Sequence, residues 1–169
     1  CRFYAADGVQ TLSVPVVHEN GTYQLPIREI KIDYSTPWLI RTQRAIVSAY
    51  ETSAYFDYYK DDLFSLMDSR PQLLFDLDMA LTRFFLEKVG IQADIRITQD
   101  FIPSGSNEYG EDLREVIHPK RDNDILKKLQ LEKPYFQVFA QKYGFISNLS
   151  IMDLLFNEGP ESILYLKRL

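Results

Sequence analysis

One short segment of the sequence brings together an imidazole, a carboxylate and several cationic side chains, the residue types that move protons and bind anions. It contains Tyr109, Asp112, Arg114, His118 and Lys120. If this segment is helical, Arg114 and His118 lie four residues apart on one face, and Asp112 lies on a neighbouring face from which it can orient an imidazole. Such a cluster can hold a phosphate by charge-assisted hydrogen bonds. We therefore predict that His118 is a general acid or base, that Asp112 orients it, and that Tyr109, Arg114 and Lys120 contact substrate.

The same segment has a simpler interpretation, in which Pro119 ends a short helix and the charged side chains are solvated. A histidine that stands alone in a polar loop is more often structural than catalytic. The catalytic interpretation requires the segment to fold beside the C-terminal helix and enclose a cavity there.

Further candidates lie elsewhere in the chain. Asp153 is a carboxylate inside an otherwise apolar stretch, where it either fixes a neighbouring loop of the protein or faces a ligand. It is therefore a second candidate for an orienting acid at a catalytic site. Arg41 and Arg44 lie three residues apart on one predicted helix face, where they could bind a phosphate or form an ordinary solvated surface. The other histidine, His18, is predicted to lie in an exposed loop, and the local sequence around Cys1 does not support a nucleophile.

Composition and missing motifs exclude several classes of function. The sequence has no Cys-x-x-Cys and no histidine pair at helical spacing, so no metal site is predicted, and no nucleotide-binding glycine motif identifies a cofactor. A net charge of −5 without a basic stripe disfavours nucleic acid as a partner. No apolar run approaches the ~20 residues that span a bilayer. A single cysteine fits a reducing compartment, and we predict a cytoplasmic protein without membrane insertion.

Hydrophobic periodicity predicts an α+β fold, with a small mixed or antiparallel sheet from the N-terminal strands packed against several helices. Asp7-Gly8 predicts a hairpin between strands, and Pro15 predicts an edge strand. The predicted strands span Arg2–Ala6, Thr11–Val17, Glu29–Asp33 and Ala93–Thr98.

Three long helical patterns and one short pattern follow the strands. The first begins at Thr36-Pro37, with Thr36 as its predicted cap and with Leu39, Ile46 and Tyr50 on its predicted core face. The second covers Tyr55–Met67, and the third is capped by Ser69 and ends at Gly90. Ser150 is the predicted cap of a short C-terminal helix that ends near Glu158, and a last short helix follows Pro160. No linker or repeat divides the chain, so residues 1–169 are predicted to form one domain.

Several blocks of the sequence resemble one known protein family. They are Leu12–Val16, Ile30–Asp33 with Trp38, Ala49-Tyr50, Tyr55-Phe56, Tyr58-Tyr59, Asp112–Arg114, His118–Lys120, Gln137–Phe139 and Gly144–Pro160. In these blocks the chain resembles the WbqC-like proteins, a bacterial family linked to gene clusters for surface polysaccharide. Members of the family usually carry an upstream segment of a few dozen residues, so the resemblance also predicts that such a segment precedes this chain.

The resemblance implies a cytoplasmic protein of surface-polysaccharide biosynthesis, of the O-antigen kind. A transferase that adds a group to a nucleotide-linked sugar is the leading hypothesis, and a non-catalytic binding or scaffolding protein of such a pathway is the alternative. The partner is then a small molecule such as a nucleotide-sugar. Neither the sequence nor the resemblance identifies the donor, the cofactor or the oligomeric state.

Overall fold

The chain begins with a β-hairpin. The computed structural model describes residues 1–18, 25–106, 108–114, 116–117 and 125–167. Strand β1 (Arg2–Ala5) pairs antiparallel with strand β2 (Gly8–Thr11), and Ala5 lies opposite Gly8. The predicted hairpin is confirmed, but its loop comes one residue earlier, because Gly8 adopts a φ of 114° as the first residue of β2. The second strand is therefore not Thr11–Val17 as predicted.

The segment that follows the hairpin is extended without forming a strand of a sheet. The predicted strand Glu29–Asp33 is wrong, because a short 3-10 helix covers Ile27–Glu29 and only isolated bridges follow it. The backbone of Lys31 accepts a hydrogen bond from Val17 at 2.9 Å. Pro15 has no N–H, and so this pairing cannot extend into a ladder.

The predicted strand Ala93–Thr98 is also wrong. These residues have no ladder partner among the parts of the chain that the structure describes, and without a neighbour an alternating pattern cannot form a sheet. The fold class is nevertheless α+β, with a two-stranded antiparallel sheet against helices.

Helices make up the rest of the regular structure. They are α1 (Trp38–Tyr50), α2 (Phe56–Asp68), α3 (Leu74–Lys88), α4 (Ile125–Lys128), α5 (Ala140–Tyr143), α6 (Ile151–Glu158) and α7 (Ser162–Leu166), with a 3-10 turn Gly159–Glu161 between the last two. Among the described residues, no helix has the length and apolar content needed to cross a bilayer.

The predicted start of α3 is wrong for a tertiary reason. Ser69 lies at the C-terminal end of α2, and α3 begins at Leu74 without a side-chain cap. The backbone N–H of Leu74 instead donates to the carbonyl of Ile30 at 2.9 Å. An extended segment distant in sequence therefore satisfies a donor that a capping side chain would have satisfied. The predicted end of α3 is confirmed, with Gly90 at a φ of 75°.

Helix α1 also lacks a side-chain cap, since Pro37 precedes it and the predicted cap Thr36 makes no capping bond. Its predicted core face is confirmed, because Leu39, Ile46 and Tyr50 are all buried.

Helix α6 lies at the centre of the core. All its residues from Met152 to Asn157 are buried, and the Phe156 ring lies 5.2 Å from the rings of both Tyr50 and Phe56. Ser150 caps the helix as predicted, with its hydroxyl accepting from the N–H of Met152. Helices α1, α2 and α3 pack around this buried helix, together with the buried face of β1.

Candidate functional site

The predicted loop site contains a cluster of Tyr109, Asp112 and Arg114. The Asp112 carboxylate accepts hydrogen bonds from Nε and Nη2 of Arg114 at 2.8 and 2.5 Å. The guanidinium carbon of Arg114 lies 5.3 Å from the centre of the Tyr109 ring. The side-chain and backbone hydrogen bonds from Arg114 hold the pKa of Asp112 well below its ordinary value. Asp112 is therefore ionised at neutral pH and fixes the guanidinium.

Arg114 also ties two parts of this loop together. Its Nη1 donates to the carbonyl of Ile102 at 2.7 Å, and its Nη2 lies 3.3 Å from the carbonyl of Pro103. A substrate phosphate would have to compete with these acceptors and with Asp112. Among the described residues of this segment, the N–H groups of Val116 and Ile117 both donate to the carbonyl of Leu113, as in a single turn.

The remaining cationic candidates divide into two that the structure describes and two that it does not. His118 and Lys120 lie outside the described residues, so their predicted roles stay predictions. Arg41 and Arg44 are exposed on α1. Arg44 borders a shallow surface depression together with Gln43 and Glu51. Exposure agrees with both alternatives that the sequence left open, so a role of Arg41 and Arg44 in phosphate binding stays a prediction.

Asp153 lies at the centre of a buried polar cluster. Its Oδ1 accepts from the Tyr50 hydroxyl at 2.8 Å, and its Oδ2 accepts from the Tyr135 hydroxyl at 2.7 Å and from Nε2 of Gln137 at 3.0 Å. We call these four residues the Asp153 cluster. Asp153 and Gln137 are each 1% exposed. The three donors satisfy a carboxylate that could not otherwise be buried in the core.

The Asp153 cluster also fixes the chain around α6. Gln137 exchanges two hydrogen bonds with the backbone of Ile146, one through each atom of its amide, both at 2.9 Å. Desolvation by burial raises the pKa of Asp153, and the hydrogen bonds from Tyr135, Tyr50 and Gln137 act in the opposite direction. Through these hydrogen bonds Asp153 connects α6 with α1, which contains Tyr50, and with the segment that contains Tyr135 and Gln137.

A cavity of about 360 Å³ lies where the end of the hairpin meets α1, α2, α3 and α6. This volume falls within the range of about 300–1,000 Å³ that small-molecule sites occupy. The cavity is half open, and its wall is mostly apolar. Representative wall residues are Leu12, Trp38, Ile46, Leu63, Leu77 and Met152.

The residues of this wall that carry polar atoms in their side chains, or a thiol, are Cys1, Ser13, Trp38, Thr42, Asp78 and Ser150. Trp38 is 7% exposed, and its indole Nε1–H is buried without a hydrogen-bond partner. Asp78 and Thr42 contribute a carboxyl and a hydroxyl from α3 and α1. Much of the Asp78 side chain reaches solvent, yet desolvation still raises the pKa of its carboxyl. No lysine or arginine is among the described residues of the wall.

The sequence contains a signal for this cavity that the motif-based analysis missed. On α3 the apolar stripe runs through Leu74, Leu77, Leu81 and Phe85, and Asp78 stands within it at helical spacing. A carboxyl on the apolar face of an amphipathic helix needs a partner, a route to solvent or a ligand. That pattern singles out Asp78 without any named motif.

Comparison with known proteins identifies a family. The sequence model of the WbqC-like protein family matches residues 1–130. The match covers the hairpin, α1, α2, α3 and the loop with Asp112, but the C-terminal block Gly144–Pro160, which carried much of the resemblance, lies outside it. No curated protein and no solved structure gives a significant match.

Proposed function

Since the chain belongs to the WbqC-like protein family, we propose that it acts in the biosynthesis of bacterial surface polysaccharide of the O-antigen kind, by transferring a group to a nucleotide-linked sugar in the cytoplasm. The family's association with polysaccharide supports the pathway. The observation that carries the enzymatic part is the half-open cavity of about 360 Å³, because group transfer needs a concave place that holds one reactant away from bulk water.

In this proposal the loop with Asp112 and Arg114 binds the nucleotide-linked substrate. His118 acts as the acid or base, and Lys120 contacts an anionic group of the substrate. The ring of Tyr109 against Arg114 offers a flat surface for a base or a sugar. Asp153 acts at a distance from substrate, by fixing α6 and the segment that contains Tyr135.

A thermal-shift screen against UDP-, GDP- and dTDP-linked sugars tests the proposal. A ligand present at a hundred times its Kd stabilises the folded state by about 2.7 kcal/mol. For a chain of this size we expect the Tm to rise by about 5–11 °C. No shift with any nucleotide-sugar would reject the proposed substrate class.

Two ion pairs with the same spacing provide a matched control for the loop. Arg114→Gln should abolish the shift if this loop contacts the substrate. Arg96→Gln makes the same change in an exposed pair, Arg96 with Asp94, whose side chains are 86% and 70% exposed. Loss of the shift in both variants, or in neither, would argue against a specific role for Arg114. His118→Ala, assayed for turnover with a sugar that binds, tests the predicted acid or base.

One observation favours the alternative of a non-catalytic binding protein. Phe101 and Tyr58 are 87% and 77% exposed, and exposed rings are common at protein interfaces. A binding protein would show a shift with a nucleotide-sugar but no turnover, and its ligand affinity would not change with His118→Ala.

A further inference from the structure

The segment Ala93–Thr98 has a strand-forming sequence that the fold leaves without a partner strand. Ile95, Ile97 and Thr98 are β-branched, a residue class that is enriched in strands, and apolar residues alternate with polar ones along the segment. Within the described chain the segment has neither helix, turn nor bend, and no backbone hydrogen bond joins it to another segment. Its backbone N–H and C=O groups are therefore open to pairing with a strand from another molecule.

The charged side chains of this segment are arranged as they are in a strand. Nη2 of Arg96 lies 2.6 Å from Oδ2 of Asp94, and these two side chains are 86% and 70% exposed. Residues two apart share one face of a strand, whereas on a helix they do not face each other. Both charges therefore lie on one face, and in strand geometry Ile95 and Ile97 belong to the other face. Ile97 is 46% exposed, so that apolar face is only partly covered by the chain.

The order of the charges favours a second copy of the chain as the partner strand. If two copies pair antiparallel about a two-fold axis at Ile95, Asp94 of each copy lies opposite Arg96 of the other. On the other face Ala93 then lies opposite Ile97, so that apolar residues meet. An axis at Asp94 or at Arg96 would instead place two like charges opposite each other. The sequence is therefore complementary to itself in one register.

We propose that two copies of the chain associate through this segment, as an antiparallel ladder over residues 92–98 with its two-fold axis at Ile95. The ladder satisfies backbone groups that each copy leaves open, and it uses the same surface on both copies, so it closes at two. A single strand pair is small beside the interfaces of about 1,200–2,000 Å² that stable complexes bury, so we expect the association to depend on concentration. The inference concerns assembly and is independent of the proposed sugar substrate.

Charge reversal tests the ladder when association is followed by sedimentation velocity. Asp94→Lys places a lysine opposite Arg96 of the second copy, and Arg96→Glu places a glutamate opposite Asp94 of the second copy. Each variant should weaken the dimer by at least about tenfold, because two pairs of opposite charges become two pairs of like charges. An equimolar mixture of the two variants should dimerise about as well as the unsubstituted chain, because opposite charges then meet in both pairs.

The mixture separates association from effects within one chain. Each single variant also loses the contact between Asp94 and Arg96 of the same chain, and mixing cannot restore that contact. Asp57→Lys is the matched control, because it reverses the charge of an exposed aspartate that pairs with Lys60 on α2. This control should leave the dimer unchanged.

Cysteine crosslinking tests the position of the axis. In a chain that carries Cys1→Ser, Ile95→Cys places two thiols directly opposite each other, with their Cα atoms about 4.5–5.5 Å apart, a separation that a disulfide accepts. We expect a disulfide-linked dimer under mild oxidation. Ile97→Cys should give none, because its two copies lie four residues apart along the ladder, which is about 13 Å.

Three results would overturn the inference. The first is a chain that sediments as a monomer up to millimolar concentration. The second is a mixture of Asp94→Lys and Arg96→Glu that dimerises no better than either variant alone. The third is a dimer without a disulfide from Ile95→Cys, which would result if the segment paired with the open edge of β2 in the second copy. None of these results affects the nucleotide-sugar screen, so the two proposals succeed or fail separately.

Discussion

Removing one hydroxyl from the Asp153 cluster measures how strongly that cluster holds the core together. Tyr50→Phe deletes the donor at 2.8 Å from Oδ1 and changes nothing else in the shape of a side chain that is 1% exposed. A hydrogen bond to a charged group contributes about 1.5–3 kcal/mol. We therefore expect the free energy of unfolding to fall by about 2 kcal/mol, and the Tm to fall by about 4–8 °C.

Urea unfolding followed by far-ultraviolet circular dichroism gives this quantity. Tyr58→Phe is the matched control, because it makes the same chemical change on a side chain that is 77% exposed. The control should change the free energy of unfolding by less than about 0.5 kcal/mol. The double variant of Tyr50→Phe with Tyr135→Phe should deviate from the sum of the single changes, because both hydroxyls donate to one carboxylate.

The reasoning would be refuted if the free energy of unfolding of Tyr50→Phe lay within about 0.5 kcal/mol of that of the unsubstituted chain, with the same dependence of that free energy on urea concentration. That result would mean that Asp153 does not depend on its donors in the folded state. Additive losses in the double variant would likewise separate the two hydroxyls and contradict a single cluster.

Three further predictions concern the same region. Gly159→Ala should destabilise the chain by at least about 2 kcal/mol in urea unfolding, because the added Cβ would overlap the Tyr55 ring at a backbone φ of 54°. Tyr55→Ala in the same chain should recover part of the loss. Because burial raises the pKa of Asp153, the folded chain binds a proton at this residue more tightly than the unfolded chain does, and the free energy of unfolding should fall as pH rises from the ordinary value of 3.8 through the raised pKa. A pH series of urea unfolding should show this fall in the unsubstituted chain and not in Asp153→Asn. The same dependence on pH in both chains would contradict the assignment. Ser150→Ala should cost about 1 kcal/mol by removing the cap of α6, whereas Ser150→Asp should retain most of the stability in thermal unfolding, and equal losses in both would exclude capping as the cause.

The helical part of the fold followed from local patterns. The core face of α1, the stop at Gly90 and the cap at Ser150 were all predicted from spacing and residue type, because each depends on neighbours within one or two helical turns. The strand predictions at Glu29–Asp33 and Ala93–Thr98 failed, because alternation indicates a strand only where a partner strand is available.

The candidate site was less accessible to sequence reasoning. The pairing of Asp112 with Arg114 is local, but the sequence analysis assigned Asp112 to the imidazole of His118 and Arg114 to a substrate. The carbonyls of Ile102 and Pro103 that accept from Arg114 could not be foreseen from spacing. For Asp153, the sequence showed a polar residue in an apolar helix and left open whether it met a ligand or the protein. The tertiary structure places Tyr50 at one of its oxygens, and these residues are separated by 103 positions in the chain.

The sequence by itself determined where the three long helices and α6 approximately lie, which face of α1 is apolar, and that the chain resembles the WbqC-like proteins, since those properties depend on composition and short-range order. Only the tertiary structure decided where polar groups inside apolar helices find partners. It surrounded Asp153 with three donors and set Asp78 at the wall of a cavity, although both are carboxyls within amphipathic helices. The physical reason is that solvation of a buried charge depends on atoms brought together by packing, and those atoms come from distant parts of the chain.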